Sequence, residues 1–142
     1  MDLCLQLSAM TTITSSYEGD LHCRSVHGPS GAELPTDAPV DNQGRGEAFS
    51  PTDLVATALS TCILTILGIT AERDGIALEG CTARVEKSMT QSAPRRIETL
   101  EVWITLPAGL DPQQRTLLQR AGESCPVKLS LEGSVKMVLH WA

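Results

Sequence analysis

A chain of 142 residues suits a single domain, and its 42% apolar residues are enough for a core that the 3% aromatic content makes aliphatic. A net charge of −6 excludes non-specific nucleic-acid binding, which needs a basic face. No apolar run reaches membrane-spanning length without a charge or a glycine, and the start, MDLCLQLSAM, lacks the basic region and apolar stretch of a signal peptide. A cytoplasmic protein is therefore expected, with residues 1–10 as an extended or disordered start and Met10 as an alternative beginning. Cys4, Cys23, Cys62, Cys81 and Cys125 are odd in number, widely spaced and without a CxxC pair. This excludes a dense disulfide scaffold, a zinc ribbon and a thioredoxin-type site. Taken singly, each is by default a small hydrophobe with a reduced thiol.

The first elements read as strands. TTITSSY (11–17) and LHCRSVH (21–27) flank EGD, a hairpin signal, and GAELPTD adds a third short strand. DAPVDNQGRGEAF (37–49) is polar, rich in glycine and interrupted by proline, which predicts a long loop of the kind that carries function. A long helix follows. Ser50 caps it, Pro51 takes its first position, Asp53 stands in capping-box register and Gly75 stops it. Leu54, Ala58, Cys62, Thr65, Ile66 and Ile69 share one broad face; Val55, Leu59, Ile63 and Leu67 fill another. A helix apolar on so many sides must be covered on all of them, by threading the domain core or by packing on a second subunit.

Strands over 80–89 and 95–106 alternate around a TQSAP turn. A second helix starts at Asp111, with Pro112 at its first position and Gln114 in capping-box register, and falters near Gly122. A short helix over 125–131 and a closing strand, SVKMVLHW, complete an α+β order with mostly antiparallel pairing.

Candidate chemistry centres on thiols. Cys125 precedes Pro126 and so lies at or just before a helix start, where free amides lower a thiol pKa. Cys62 lies twelve residues beyond Ser50, out of reach of the helix dipole, and burial among aliphatic residues raises its pKa unless a cation is near. Arg45 in the long loop is the first candidate cation, with Glu47 placed to hold its guanidinium; the alternative for Arg45 is an exposed loop charge. Arg24, beside Cys23, is the second candidate. Strand alternation puts Cys23 and His27 on one face and His22 on the other. Two ligands do not close a zinc site, so no metal is expected. Gly44 and Gly46 are too sparse for a phosphate loop, and neither GxSxG nor HExxH occurs.

SPTDLVATALSTC, followed by CPV whose cysteine comes 63 residues after that of the helix, resembles the OsmC/Ohr family of osmotically inducible and organic-hydroperoxide-resistance proteins. TDAPVDNQGRGEAFSPTDL is similar to an OsmC-like subgroup. The resemblance implies a single OsmC-like domain over 1–142 and an intertwined homodimer, with long central helices wrapped by mostly antiparallel sheets from both subunits. It also implies a peroxidatic thiol at Cys62 and a resolving thiol at Cys125, with Arg45 and Glu47 as the activating pair. The substrate would be an organic hydroperoxide and the reductant an external dithiol of lipoyl type, with no bound cofactor or metal. The peroxidase branches carry a glutamate ten residues before the helix cysteine; here that position is Thr52, and Asp53 is one step away. The family arginine matches Arg45 with different spacing. The rival expectation, favoured by Thr52, is a non-enzymatic small-ligand or stress-binding protein of the same fold with inert or regulatory cysteines. Cys4, Cys23 and Cys81 are expected to be dispensable.

Overall fold

The computed structural model describes residues 10–142, so Cys4 and the expected extended start lie outside the described residues, apart from an exposed Met10. The chain forms two compact units, divided between Pro51 and Thr52.

In the first unit, β1 (Ile13–Gly19), β2 (His22–His27) and β3 (Glu33–Asp37) form an antiparallel sheet in the order β1-β2-β3. The expected hairpin is present. Its reversal runs through Gly19, Asp20 and Leu21, all at positive φ (91°, 51° and 63°). The long loop is present too, with one 3₁₀ turn over Val40–Asn42. Its fold depends on Gly44, where a Cβ would lie 1.7 Å from the Ala38 carbonyl oxygen. This glycine serves close backbone packing.

In the second unit, α1 (Pro51–Asp74) has the bounds that its proline and Gly75 predict. β4 (Thr82–Met89), β5 (Ile97–Thr105) and β6 (Lys136–Trp141) form a sheet in the order β4-β5-β6. β4 and β5 are antiparallel, but the closing strand β6 runs parallel to β5. The parallel pairing requires a long crossover. It is supplied by α2 (Pro112–Glu123) and α3 (Pro126–Leu131). α2 starts with the expected box: the Gln114 amide donates to Asp111 Oδ1 at 2.7 Å, and the Asp111 amide donates to Gln114 Oε1 at 3.0 Å. α2 ends at Glu123, one residue past Gly122, as the sequence predicts. A Cβ at Gly122 would lie 2.4 Å from the Trp141 ring, so the glycine lets α2 approach β6.

Leu59, Ile63 and Leu67 of α1, Leu100, Val102 and Ile104 of β5, and Leu118 of α2 are fully buried in one cluster. Each contributes roughly 1.5–3 kcal/mol by leaving water. α1 is long and apolar enough, by length and composition, to cross a membrane, although it contains Asp53 and Gly68. Here seven of its residues are buried in the protein. The expectation that the helix is covered all round fails within one chain. The Leu59–Ile63–Leu67 side is buried, but Thr61 and Thr65 are exposed and Ile69 is 56% exposed. The hydroxyls of Thr57, Thr61 and Thr65 bond to the carbonyls of Asp53, Thr57 and Thr61, four residues back. That open face is thereby left with its hydroxyls satisfied internally and its methyl groups available.

Candidate thiol site

Cys62 sits at mid-helix on the less covered side of α1 and is half-buried; Cys125 is fully buried at the N-cap of α3. Cys125 thus stands at the helix start that Pro126 predicts, while Cys62, expected to be buried among aliphatic residues, is the less buried of the two. α1 turns the Cys62 side toward the face this chain leaves open, while the α2–α3 connection carries Cys125 down into the core. Both thiols are free. Cys125 Sγ accepts a hydrogen bond from the Lys128 amide at 3.4 Å, as an N-cap does.

The expected lowering of the Cys125 pKa is also overturned. Burial, the largest influence, pushes the thiol up; the Lys128 amide pulls the other way and is outweighed, and the adjacent Cys62 thiol adds to the rise. The amides at this helix start do act in the expected direction, but a buried thiolate loses more to desolvation than they return. The Cys62 influence also records that the two thiols are neighbours. Cys81, half-buried, is likewise raised by burial.

A largely apolar, open cavity of about 380 Å³ lies between α1 and α3, lined by Leu54, Val55 and Ala58 on one side and Pro126, Val127, Ser130 and Leu131 on the other. Ala58 is one helical turn before Cys62, and Pro126 directly follows Cys125. The same stretches that carry the thiols therefore line the cavity.

Two lysines near these elements escaped the sequence reading. Lys128 bonds Glu132 at 2.9 Å and lies 3.5 Å from Glu123. Its pKa is raised, first by the Glu132 hydrogen bond. Lys87 of β4 donates to Thr52 Oγ1 and Asp53 Oδ1, both at 2.7 Å. The position where peroxidases of the family carry glutamate is thus a threonine hydrogen-bonded to a cation. Lys128 was within reach of inspection, three residues after the capping cysteine; no local signal links Lys87 to residues 52 and 53.

The remaining candidates lie in the first unit. Glu47 stands beside Arg45, but at 3.8 Å and with the guanidinium side chain 68% exposed. Such a contact orients weakly. Arg24 is engaged by Glu18 at 3.3 Å and Glu33 at 3.4 Å, so its charge is committed to acids of its own sheet. Cys23 is half-buried on β2, and His27 Nδ1 meets Ser30 Oγ at 2.6 Å. His22, on the opposite face from Cys23, has Nε2 3.4 Å from Asp37 Oδ2 and 3.2 Å from Glu47 Oε2. Its pKa is raised, first by the bond to the Asp20 carbonyl and then by these two acids, against burial. The Asp37 pKa is lowered, first by the Glu47 amide.

Fold and site together define a class: an α+β protein whose long core helix sets one thiol against another at the start of a short helix, beside an aliphatic cavity. The chain belongs to the OsmC-like protein family, whose model matches residues 44–140. It is similar, at 41% identity over 97% of this chain and 100% of the other, with a TM-score of 0.87, to a protein from Psychrobacter arcticus 273-4 described as an osmotic stress induced and detoxification response protein. An organic hydroperoxide resistance protein OsmC from Legionella pneumophila shares the fold at 21% identity, with a TM-score of 0.73 and coverage of 94% of this chain and 97% of that one. An organic hydroperoxide resistance protein from Elizabethkingia anophelis does so at 18% identity, with a TM-score of 0.74 and coverage of 96% and 99%. No curated protein matches the chain.

Proposed function

We propose that this protein is a cytoplasmic, homodimeric thiol peroxidase that reduces organic hydroperoxides with Cys62 and Cys125. The observation that carries the reading is the adjacency of the two free thiols beside an aliphatic cavity. Family membership, and the hydroperoxide-resistance proteins among its structural neighbours, support it.

The Cys62 thiolate attacks the distal oxygen of the hydroperoxide. The O–O bond breaks, the alkoxide takes a proton and leaves as the alcohol, and Cys62 becomes a sulfenic acid. The Cys125 sulfur then attacks the Cys62 sulfur. An S–S bond forms, and the hydroxide leaves with the Cys125 proton as water. An external dithiol, of lipoyl type by family likeness, supplies the two electrons that reset the pair by exchange. By family likeness, Arg45 with Glu47 beside it is the cation we propose for the Cys62 thiolate. The open face of α1, with its internally satisfied threonines and exposed Ile69, suits burial against a second copy of the chain.

Peptide mapping after one equivalent of cumene hydroperoxide tests the chemistry. The expected product is a 62–125 disulfide within each subunit. Cys62→Ser abolishes turnover, and Cys125→Ser stops at the sulfenic acid after one oxidation. Arg45→Ala slows oxidation of Cys62. A Cys62→Ser protein that still turns over defeats the reading. Sedimentation of a stable folded monomer at micromolar concentration defeats the dimer.

One observation favours a second reading. Lys87 occupies Thr52 and Asp53 where a peroxidase of the family has a glutamate, as expected if the fold serves a binding protein with regulatory cysteines. Thiol titration separates the two: the peroxidase requires Cys62 to react near neutral pH.

A further inference from the structure

His22, Asp37 and Glu47 converge from three places in the first unit. The β2–β3 register pairs His22 with Asp37, and the Glu47 amide donates to Asp37 Oδ2 at 2.9 Å, which folds the long loop back onto the sheet. One donor atom from each of the three lies within 4.8 Å of the others. From this geometry we infer that the three side chains form a binding site for a divalent first-row transition ion, with water in the remaining position.

Three features carry the inference. The first is spacing. His22 Nε2 lies 3.4 Å from Asp37 Oδ2 and 3.2 Å from Glu47 Oε2. A tetrahedral ion with bonds of about 2.0–2.1 Å holds its ligand atoms roughly 3.3 Å apart. The second is the tautomer. His22 Nδ1 is 2.7 Å from the Asp20 carbonyl oxygen, which can only accept, so Nδ1 carries the proton. In the neutral ring the Nε2 lone pair then faces two carboxylate oxygens. Three acceptors turned toward one another require a cation between them, either a proton on Nε2 or a metal ion. Donation of the other ring nitrogen to a carbonyl is also the arrangement that orients metal-bound histidines. The third is a buried acid. Asp37 is 1% exposed, and its Oδ1 is buried without a hydrogen-bond partner among the described residues. A buried carboxylate is costly unless its charge is compensated, and compensation here falls to the Oδ2 side, where His22 and the Glu47 amide lie.

One nitrogen and two carboxylates suit zinc, manganese, iron, cobalt or nickel in the divalent state better than calcium, which takes six to eight oxygens, or copper(I), which takes sulfur. Glu47 is exposed and leaves an approach for the ion. Its other oxygen, Oε1, is the one 3.8 Å from Arg45 Nη1, so an ion on Oε2 leaves that contact free to persist.

Zinc titration by calorimetry, in a Cys23→Ser/Cys62→Ser background that removes two competing thiols, tests the site. One zinc ion per chain is expected, with affinity rising from about pH 6 to pH 8 as the imidazole loses its competing proton. His22→Gln and Glu47→Gln, checked for native circular dichroism, should each weaken zinc by more than the roughly 10- to 100-fold that loss of a supporting residue costs. Cobalt(II) should give tetrahedral d–d absorption that both variants lose. The inference is overturned by absence of zinc binding, by zinc affinity indifferent to both substitutions, or by nitrogen-15 spectra in which zinc at pH 8 leaves both His22 nitrogens protonated.

Discussion

The two units of the chain are held together by different physics. Among the described residues, every buried apolar side chain lies in Thr52–Ala142, where α1, β5 and α2 share one aliphatic cluster. Among its described residues the first unit buries Thr36, Asp37 and Ser50 and no apolar residue, and six of the seven residues of β1 are exposed. Its order comes from ladder hydrogen bonds, from the paired charges of Arg24, Glu18 and Glu33, and from the His22–Asp37–Glu47 cluster. A three-stranded sheet becomes independently stable with an apolar face or a packed helix, and the described residues of the first unit supply neither by themselves. One part of the chain is thus a conventional core. The other is a polar scaffold that sets out charged and metal-ligating groups.

The largest test of this contrast compares truncations. Leu59→Ala or Leu67→Ala should cost about 2–5 kcal/mol in urea unfolding, because each removes a fully buried side chain, whereas Ile13→Ala on β1 should stay within about 0.5 kcal/mol. A cost near that of the core positions at Ile13 would break the contrast and place β1 in an interface. Next in size is Gly122→Ala, which drives a methyl group into the Trp141 ring and should cost roughly 1–3 kcal/mol by the same measurement.

The third test uses pH. The Cys125 thiol is raised in the folded protein, so the stability that its protonated form contributes is fully present below the ordinary thiol value of about 8.5 and is lost as pH rises through the folded value. Unfolding free energy should therefore fall across that alkaline window, and Cys125→Ser should flatten the fall. A slope that survives the substitution would assign it to another group. The smallest effect belongs to the first unit: Arg24→Ala removes exposed ion pairs and should cost about 0–1 kcal/mol, less still at high salt.

Much of the local structure was legible in the amino-acid order because its causes act within one turn. Pro51 and Gly75 bound α1, Asp111 and Gln114 start α2, and Cys125 before Pro126 starts α3. The thiols of interest were legible too, since the spacing of SPTDL, Cys62 and CPV marks the family. Which face of α1 this chain covers, and that β6 joins β5 in parallel, were decided only by the packing of distant segments. The sign of the Cys125 shift belongs with them: the amides that lower it are two and three residues away, but the burial that raises it comes from the whole core. The gathering of His22, Asp37 and Glu47 required a strand register and a loop closure that no periodicity encodes. Local signals reach about one helical turn or one hairpin. Desolvation and the convergence of charges depend on what the rest of the chain brings alongside, and only the folded structure sums those contributions.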